Sequence, residues 1–314
     1  MPDGPSGVLD RPTTVTVMQT SAASPATRRP DVLSAVDVAR SDTFTWAAIE
    51  VDGEEVACHY DLDGVGRLTE RFTFHGHDVG AVAEGVEVAA ALELLHLTAG
   101  VSYLKALLPA ELHVEAWTVD PARRDLLGAL VTHGLAEFAH VNELDLWDWF
   151  RLPEAETAPL RITEMPSLDR GPLVPVGGGK DSVVTLEALR GMGPTLFAVN
   201  PRGPIDRTVE VAGMPMARVT RRLDPRLFDL NDAGAFNGHV PVTAIVSAIA
   251  VVSAVLGHHD TVAMSNEASA DQPTLVDDAG RPVNHQWSKS SDFEHAFATL
   301  VRTQVHPDLV YASF

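Results

Sequence analysis

Residues 176–182 read Val-Gly-Gly-Gly-Lys-Asp-Ser, between an apolar, strand-like run at 173–176 and a helical pattern at 183–189. Three consecutive glycines remove every Cβ from this tight strand-to-helix connection. Successive backbone N–H groups can therefore point into one concavity and approach an anion closely. The helix that follows adds the positive end of its dipole. The stretch predicts a phosphate-binding turn.

The residues of the turn also carry side chains suited to a nucleotide. Lys180 supplies a point charge for phosphate oxygens, and Asp181 can hold a magnesium ion. The Ser182 hydroxyl can cap the helix or bond a phosphate. We therefore expect an ATP and magnesium site whose diphosphate ligands are Gly177, Gly178, Gly179 and Ser182.

The bulk composition limits the possible partners. The chain has 314 residues, with 23 Lys and Arg against 43 Asp and Glu, which gives a formal net charge of −20. Such an acidic balance repels phosphate backbones and anionic lipid, so no nucleic-acid partner is expected. The single cysteine, Cys58, excludes an internal disulfide framework and any Cys-x-x-Cys pair. Length suggests about two domains.

From its sequence we expect no targeting segment and no membrane-spanning segment in this chain. The first 30 residues include Asp3 and Asp10 and lack a continuous apolar stretch, so no secretory signal is expected. Residues 1–40 are rich in Pro, Ser, Thr and Ala and are predicted to be a disordered tail. The uncharged stretch 240–257 has few large apolar residues and no aromatic or basic flanks, which indicates a buried helix. We expect a cytoplasmic protein with no membrane partner.

The hydrophobic periodicity predicts a small α+β domain over residues 41–152. Alternation at 42–74, with an Asp-Gly turn, indicates an antiparallel strand meander. The apolar period lengthens to that of a helix at 79–108, and a strand candidate at 112–119 precedes a second helix at 121–138.

Residues 153–171 are rich in proline and glutamate and are predicted to be a linker. Beyond it, residues 172–314 alternate strands with helices, which is typical of a parallel sheet covered on both faces. In such a sheet the ligand lies outside the carboxyl ends of the strands. The predicted strands are 173–176, 195–199, 217–220 and 261–265.

Polar residues follow several of these runs. Asn200 ends the second run, where a neighbouring backbone group could read adenine. Asn237-Gly238-His239 precedes the apolar helix, and Ser265-Asn266-Glu267 ends the fourth run. The polar string Asn284-His285-Gln286-Trp287-Ser288-Lys289-Ser290 comes about one loop later. Their shared position at strand ends favours a binding or catalytic role for the group.

The glycine turn resembles the PP-loop of ATP pyrophosphatases, usually Ser-Gly-Gly-x-Asp-Ser, with Gly177 in place of the first serine. Enzymes with that loop split ATP between its α and β phosphates and transfer AMP to a substrate oxygen. The resemblance implies an adenine nucleotide alpha hydrolase-like domain at 172–314.

Four stretches together resemble the UDP-N-acetylmuramoyl-L-alanyl-L-glutamate epimerases, the MurL family of peptidoglycan precursor synthesis. They are the glycine turn at 177–182, Asn237-Gly238-His239-Val240-Pro241, Ser265-Asn266-Glu267 and the polar string at 284–290. Two stretches of the first half, 94–105 and 133–138, are similar to that family as well, so the likeness runs from about Phe44 to the end. Members of the family continue beyond the point matching Phe314, so we expect a shortened member.

The resemblance implies an isomerase that uses ATP and magnesium to invert the terminal glutamate of a UDP-muramoyl dipeptide, with release of AMP and diphosphate. His239 is the first candidate for proton transfer, because a helix N-terminus lowers a histidine pKa and favours the neutral base. The other candidates for proton transfer are His285, Lys289 and Glu267.

Further contacts are expected on the nucleotide and substrate sides. Beside the turn, Asn200, Ser265 and Asn266 are candidates for nucleotide binding. Trp287 could stack on a base or belong to the core, and Tyr103 could bind the peptide or serve packing alone. The substrate-binding candidates are Asn237, Asn284, Gln286, Trp287, Ser288, Tyr103 and Lys105.

Three other functions stay open. Another PP-loop enzyme could thiolate or amidate a tRNA or a small acid, although RNA thiolation needs cysteines near the loop and a basic face. A protein that binds ATP without catalysis is a second alternative. The third is an epimerase that acts on the glutamate of a different peptide.

Overall fold

The computed structural model describes residues 41–147, 149–155, 165–277 and 279–314. The predicted tail at 1–40 and residues 156–164 of the predicted linker lie outside them. The described elements of the first half are β1 (Thr43–Asp52), β2 (Glu55–Leu62), β3 (Gly66–Phe74), α1 (Val79–Val82), α2 (Val86–Leu104), β4 (Glu111–Val114), α3 (Pro121–Ala129), a π-helical turn (Leu130–Gly134) and α4 (Ala136–Val141).

The second half begins after the linker and alternates strands with helices. Its elements are β5 (Leu173–Pro175), α5 (Lys180–Leu189), a 3₁₀ turn (Arg190–Met192), β6 (Thr195–Val199), α6 (Pro204–Ala212), β7 (Met216–Arg222), α7 (Arg226–Asp232), α8 (Val242–Gly257), β8 (Thr261–Met264), a 3₁₀ turn (Ala268–Asp271), β9 (Leu275–Val276), β10 (Pro282–Val283), a 3₁₀ turn (Trp287–Lys289), α9 (Ser291–Leu300), a π-helical turn (Val301–Val305) and β11 (Val310–Ser313).

The predicted antiparallel meander is confirmed. Asp52 pairs with Glu55 across the turn between β1 and β2, and Gly53 adopts a φ of 55°, which a side chain would disfavour. The aromatic rings of Phe44 and Trp46 are fully buried on one face of β1. The alternation in the sequence therefore reflects a sheet with one face in the core.

Helix α2 forms the centre of the first half. It is long and apolar enough to cross a bilayer, but 83% of its most apolar window is buried inside the protein, as in a core helix. The next helix, α3, begins at a regular cap, since the Asp120 carboxylate accepts the N–H groups of Ala122 and Arg123 at 2.8 and 3.0 Å. The predicted helix at 121–138 is present, with a π-helical turn inside it.

Strands β5, β6, β7 and β8 lie where the sequence predicted them, and they pair in parallel. The sequence did not predict β11, which pairs in parallel with β8 at the edge of the sheet. A run of four residues is too short to show alternation. The apolar helix α8 is buried along most of its length, which confirms the interpretation of 240–257 as a core helix.

The two halves share one sheet. Its nine strands run in the order β11-β8-β5-β6-β7-β3-β2-β1-β4. Antiparallel pairing of β3 with β7 joins the halves, and a buried ion pair between Glu70 and Arg221 crosses this junction. The fold is therefore mixed α/β with a large, mostly parallel sheet. Strand patterns do not specify which distant strand becomes the neighbour, so the pairing of β3 with β7 was not predicted from the sequence.

Candidate active site

The glycine turn lies between β5 and α5 at the carboxyl end of the parallel strands. Gly178 adopts a φ of 77°, and a Cβ there would lie 3.1 Å from the Cβ of Pro204. At Gly177 and Gly179, by contrast, a Cβ would meet no heavy atom within 4 Å. The turn is thus packed on one side and open on the other, which leaves its backbone accessible to a ligand.

A cleft of about 370 Å³ opens beside this turn. Its polar lining comes from the turn, from the end of β8 and from the 3₁₀ turn at Trp287–Lys289, and its apolar lining from β5, β6, α6 and α8. The residues predicted as ligands that line it are Gly177, Gly179, Asp181, Ser182, Ser265, Asn266 and Lys289.

The hydroxyl and amide groups of the cleft are held by local hydrogen bonds. Ser182 donates to the carbonyl of Gly179 at 3.0 Å, so it does not cap α5 as one alternative predicted. Ser265 donates to the Thr185 hydroxyl at 2.9 Å, and Asn266 donates to the Ser313 hydroxyl at 2.9 Å. The Ser182 oxygen can still accept a hydrogen bond from a ligand. The side chains of Ser265 and Asn266 are held in one orientation by their hydrogen bonds.

Charged side chains gather at the rim of the cleft. The Lys180 ammonium lies 3.8 Å from the Glu267 carboxylate. The pKa of Glu267 is lowered, first by a hydrogen bond from Ser269 and then by the adjacent Asp181 carboxyl and the Lys180 charge. The Lys289 charge also acts on Glu267. The rim therefore offers two neighbouring carboxyl groups and two ammonium groups.

Hard oxygen donors of this kind suit magnesium. Within the described ranges, no group of three or more His, Cys, Asp or Glu side chains could enclose a metal ion. Mg²⁺ is usually held by one or two carboxylates together with substrate phosphates. Asp181 and Glu267 at the mouth of the glycine turn fit that arrangement better than a metal site built from protein ligands alone.

The two candidate histidines meet in a half-buried cluster beside the cleft. The rings of His239 and His285 lie 6.2 Å apart at an angle of 90°. The Nδ1 of His239 lies 3.6 Å from the Glu137 carboxylate. His285 Nδ1 is 2.6 Å from the Thr274 hydroxyl, which orients its ring. Three distant parts of the chain therefore bring two imidazoles and a carboxylate together.

The pKa of His239 is lowered, as the sequence predicted, but the main cause is different. Burial is the largest effect, and it is opposed by the Glu137 carboxylate. The nearby charges of His285 and Lys289 lower the pKa further. Helix α8 begins only at Val242, so the helix terminus is not the first cause. The ring is neutral near pH 7 and available as a base.

The turn that carries His239 is packed firmly against α4. A Cβ on Gly238 would lie 3.2 Å from the Phe138 ring. The Asn142 amide donates to the Asn237 carbonyl at 3.1 Å, and the Asn237 side chain accepts the Gly238 N–H at 2.8 Å. The conformation of the turn is thus set by tertiary contacts rather than by its own sequence.

The residues of the polar string at 284–290 have different roles. Some stabilise the loop or the core, whereas Lys289 lines the cleft. Asn284 donates to the Ala270 carbonyl at 2.7 Å and accepts the Gln286 N–H, so it shapes the loop. Ser288 is buried. Trp287 stacks on His133 at 5.7 Å and packs edge-on against Phe293, which supports its core alternative.

Three other candidates lie outside the cleft lining. The Asn200 side chain is paired with the backbone of Arg221, through two hydrogen bonds of 2.9 Å. Tyr103 is fully buried, and its hydroxyl accepts the Asp224 N–H at 3.1 Å, so its packing alternative is the one the structure supports. Lys105 lies beneath Asn237, with its Nζ 3.4 Å from the side-chain oxygen.

Two sets of site residues were not predicted from the sequence. Glu137 sits in α4, about 100 residues before its histidine partner, and no spacing rule links them. The apolar part of the cleft comes from strand and helix residues that resemble any core position. The apolar residues concerned are Val176, Phe197, Ala198, Val199, Ile205, Val242, Val246 and Met264.

The fold and the cleft define the class as an α/β protein with a glycine-turn cleft at the carboxyl ends of its parallel strands. A family model of the MurL N-terminal domain matches residues 35–314. The chain therefore belongs to the MurL N-terminal domain family.

Three curated relatives, each called UDP-N-acetyl-alpha-D-muramoyl-L-alanyl-L-glutamate epimerase, are similar to the chain. The protein of Xanthomonas oryzae pv. oryzae is 38% identical over 286 residues, which cover 90% of this chain and 63% of the relative. That of Micromonospora sp. is 44% identical over 265 residues, 81% of this chain and 58% of the relative. That of Salinispora tropica is 42% identical over 265 residues, 81% and 57% respectively.

The matches thus leave more than a third of each relative uncovered, and the chain spans less than two thirds of their length. No solved structure matches the chain significantly.

Proposed function

We propose that this chain is an isomerase of peptidoglycan precursor synthesis that uses ATP to invert the terminal glutamate of UDP-N-acetylmuramoyl-L-alanyl-L-glutamate. The observation that carries the proposal is that Lys289 connects the His239–His285–Glu137 cluster with the cleft of the glycine turn. Lys289 belongs to both, since it lines the cleft and its charge acts on His239. One cavity for a nucleotide and one pair of proton carriers suit an activation step followed by a proton transfer.

The nucleotide side follows from the turn, which we assign to a PP-loop domain. The N–H groups of Gly177, Gly178 and Gly179 would bind phosphate oxygens, with Lys180 as the neutralising charge. The apolar lining contributed by β6 and α8 would receive the flat base. Ser265 and Asn266, fixed by their hydrogen bonds, would contact the ribose or the phosphates.

Asp181, with Glu267 beside it, would hold a magnesium ion. When bound, that ion neutralises phosphate charge and so aids departure of diphosphate. The Asp181 carboxyl is half-buried at the first turn of α5, which limits its freedom to turn away. Lys180 stays close to Glu267 and can exchange that partner for a phosphate oxygen.

The need for ATP has a simple chemical reason. Removing the α-proton of a free carboxylate would place a second negative charge beside the first. If a carboxylate oxygen attacks the α-phosphorus and diphosphate leaves, the resulting acyl group is neutral at that carbon. Its enolate is then delocalised onto an activated carbonyl. Water later releases the acid and AMP, so one ATP and one water are consumed for each turnover.

Proton transfer is assigned to the histidine cluster. Neutral His239, oriented by Glu137, would take the α-proton from one face. His285, whose ring stands perpendicular to it, would return a proton to the other face. Glu267 and Lys289 stay as alternatives, because both lie at the same rim. The roles imply that adenylation and inversion depend on different residues.

The partner is therefore a soluble sugar-nucleotide peptide, and we place the reaction in the cytoplasm, where ATP is present. The net charge of −20 disfavours binding of nucleic acid, which argues against an RNA-modifying PP-loop enzyme.

The test is an incubation of the purified chain with ATP, magnesium and UDP-N-acetylmuramoyl-L-alanyl-L-glutamate in deuterated water. We expect AMP and diphosphate, together with entry of one deuterium at the glutamate α-carbon. Chromatography identifies the nucleotide, and mass spectrometry detects the label. Release of ADP, or AMP without deuterium, would contradict the proposal. L-Alanyl-L-glutamate in place of the full substrate tests whether the sugar nucleotide is required.

A further inference from the structure

The chain contains few lysines. Of its 23 basic Lys and Arg residues, Lys105, Lys180 and Lys289 are the three lysines, and the other twenty are arginine. Lys180 and Lys289 both lie at the rim of the cleft. Lys105 is the third, and it lies under the turn that carries His239.

Lys105 is a buried cation without a carboxylate partner. It follows the last turn of α2 and is only 3% exposed. Its ammonium donates to the Phe236 carbonyl and to the Asn237 side-chain oxygen, both at 3.4 Å, and lies 5.4 Å from the Phe138 ring. In the parts of the chain that the structure describes, no Asp or Glu comes within 4 Å of it.

Such a charge is expensive to bury. Arg123, a comparably buried cation, is paired with two carboxylates, those of Glu93 and Asp120. A buried charge without such a pair loses its hydration and gains no compensating ion pair. Burial accordingly lowers the pKa of Lys105 to about 8. The dipole at the end of α2 and two long hydrogen bonds offset only part of that cost.

Asn237 lies between Lys105 and the protein surface. That residue is exposed, whereas Lys105 lies directly behind it. The Asn237 side-chain oxygen is occupied by the Gly238 N–H and by Lys105, which turns the amide NH₂ away from them. An exposed hydrogen-bond donor, with a buried positive charge behind it, therefore lies two residues before His239. In a chain with a net charge of −20, a dicarboxylate needs such a fixed point of attraction.

We propose that Lys105 and Asn237 form the subsite for the side-chain carboxylate of the glutamate, which stays charged while the α-carboxylate is activated. The inference rests on the proposed function and adds which group of the substrate is recognised. It also separates glutamate from glutamine, because an amide brings no charge to the buried ammonium. Asn237 and His239 would then hold one residue of the substrate at two points.

The small number of lysines makes a direct test possible. With ¹³C-labelled lysine, the three side chains give three NMR signals, assigned by Lys-to-Arg substitution at each position. We expect UDP-N-acetylmuramoyl-L-alanyl-L-glutamate to raise the pKa of Lys105 by at least about one unit, since a partner carboxylate favours the ammonium. The L-glutaminyl analogue, which lacks that carboxylate, should leave it unchanged.

Variants give an independent measurement. Lys105→Met keeps the length of the side chain and should weaken binding of the glutamyl ligand about 10- to 100-fold, the range of one charged hydrogen bond. Its affinity for the glutaminyl analogue should stay unchanged. Lys105→Arg should retain part of the discrimination. Arg302→Met, at an exposed position away from the cleft, is the matched control for the loss of one charge.

Two results would overturn the inference. One is saturation with the glutamyl ligand while the Lys105 signal and its pKa stay constant. The other is an equal loss of affinity for both ligands in Lys105→Met, which indicates a purely structural role. A titration with ATP and magnesium distinguishes failure of this inference from failure of the proposed function. If ATP moves the Lys180 and Lys289 signals and the glutamyl ligand does not move that of Lys105, only this inference fails. If ATP moves none of the three, the proposed function fails as well.

Discussion

The cleft at the glycine turn and the His239–His285 cluster are neighbours built in opposite ways. The turn is one continuous stretch, 177–182, with an open backbone and exposed charges. The cluster takes one residue each from α4, from the turn before α8 and from the loop after β10, and its rings are half-buried. A local motif can present backbone N–H groups by itself, whereas an acid–base pair needs a packed scaffold to bring its members together and to exclude water.

The difference should appear as a separation of functions. Variants of the turn should stop nucleotide chemistry, and every later step with it. Variants of the cluster should spare the nucleotide step and stop only the movement of the α-proton.

The largest expected effect is that of Asp181→Ala. Without this carboxylate the phosphate charge is poorly neutralised, so AMP release and deuterium entry should both fall on the order of a thousandfold. Steady-state AMP release checks the first and mass spectrometry the second. Glu187→Ala is the control, because Glu187 is an exposed carboxylate on the same helix and pairs with Arg190. If Asp181→Ala keeps AMP release within about tenfold of the parent, Asp181 holds no essential metal.

The next effect belongs to the histidine cluster. His239→Gln should lower deuterium entry by about 10² to 10⁴, the contribution of a general base, while AMP still forms on the first turnover. A single-turnover quench experiment separates the two. Should both steps survive the substitution, His239 has a structural role only.

Glu137→Gln tests the role of the histidine cluster through the pH dependence of α-proton exchange. Because Glu137 raises the pKa of His239 against the effect of burial, its removal should lower that pKa further. The neutral ring is the base, so the acid limb of the exchange profile should move to lower pH. The rate should also fall, since the ring loses its orienting partner. An acid limb that stays in place would show that another group titrates.

A smaller and more local effect distinguishes two glycines of the turn. Gly178→Ala should lower the free energy of unfolding by about 1–3 kcal/mol, because its φ is positive and Pro204 is close. Gly177→Ala meets open space, so stability should stay the same or rise by less than about 1 kcal/mol. Its ATP affinity should nevertheless fall about tenfold, since the methyl group lies where the phosphate approaches. Urea denaturation measures the stability of each variant, and calorimetric titration measures its affinity for ATP. Parent-like ATP affinity in Gly177→Ala would mean that phosphate does not approach this backbone.

The smallest effect is expected at Asn200. Asn200→Ala removes two hydrogen bonds to β7 and should cost about 1–2 kcal/mol of stability. Nucleotide affinity should stay unchanged, because the side chain is turned to Arg221. Thr208→Ala, which removes a hydrogen bond within α6, is a milder control. A large loss of ATP affinity at unchanged stability would restore Asn200 as a nucleotide ligand.

Much of the fold was predictable because its signals are local. Alternation gave the meander β1–β3, and short apolar runs gave β5 to β8. The apolar stretch at 240–257 was correctly interpreted as a core helix. Strand β11 was not predicted because four residues carry too little pattern. The pairing of β3 with β7 was not predicted because the paired residues lie about 150 positions apart.

The candidate site divides in the same way. Gly177, Asp181, Ser265 and Lys289 were predicted and do line one cleft. Glu137 was not identified, since a glutamate on a helix surface looks like any solvated charge. Tyr103 was proposed as a possible ligand from its place on α2, and only its burial shows that it belongs to the core.

The sequence by itself determined the glycine turn, the strand and helix pattern around it and the likeness to one family, because each depends on residues close together in the chain. Only the tertiary structure decided which polar side chains face the cleft, that Glu137 meets His239, and that Lys105 is buried with no carboxylate beside it among the described residues. These depend on which surfaces pack against each other, and packing is a property of the whole chain rather than of any one segment.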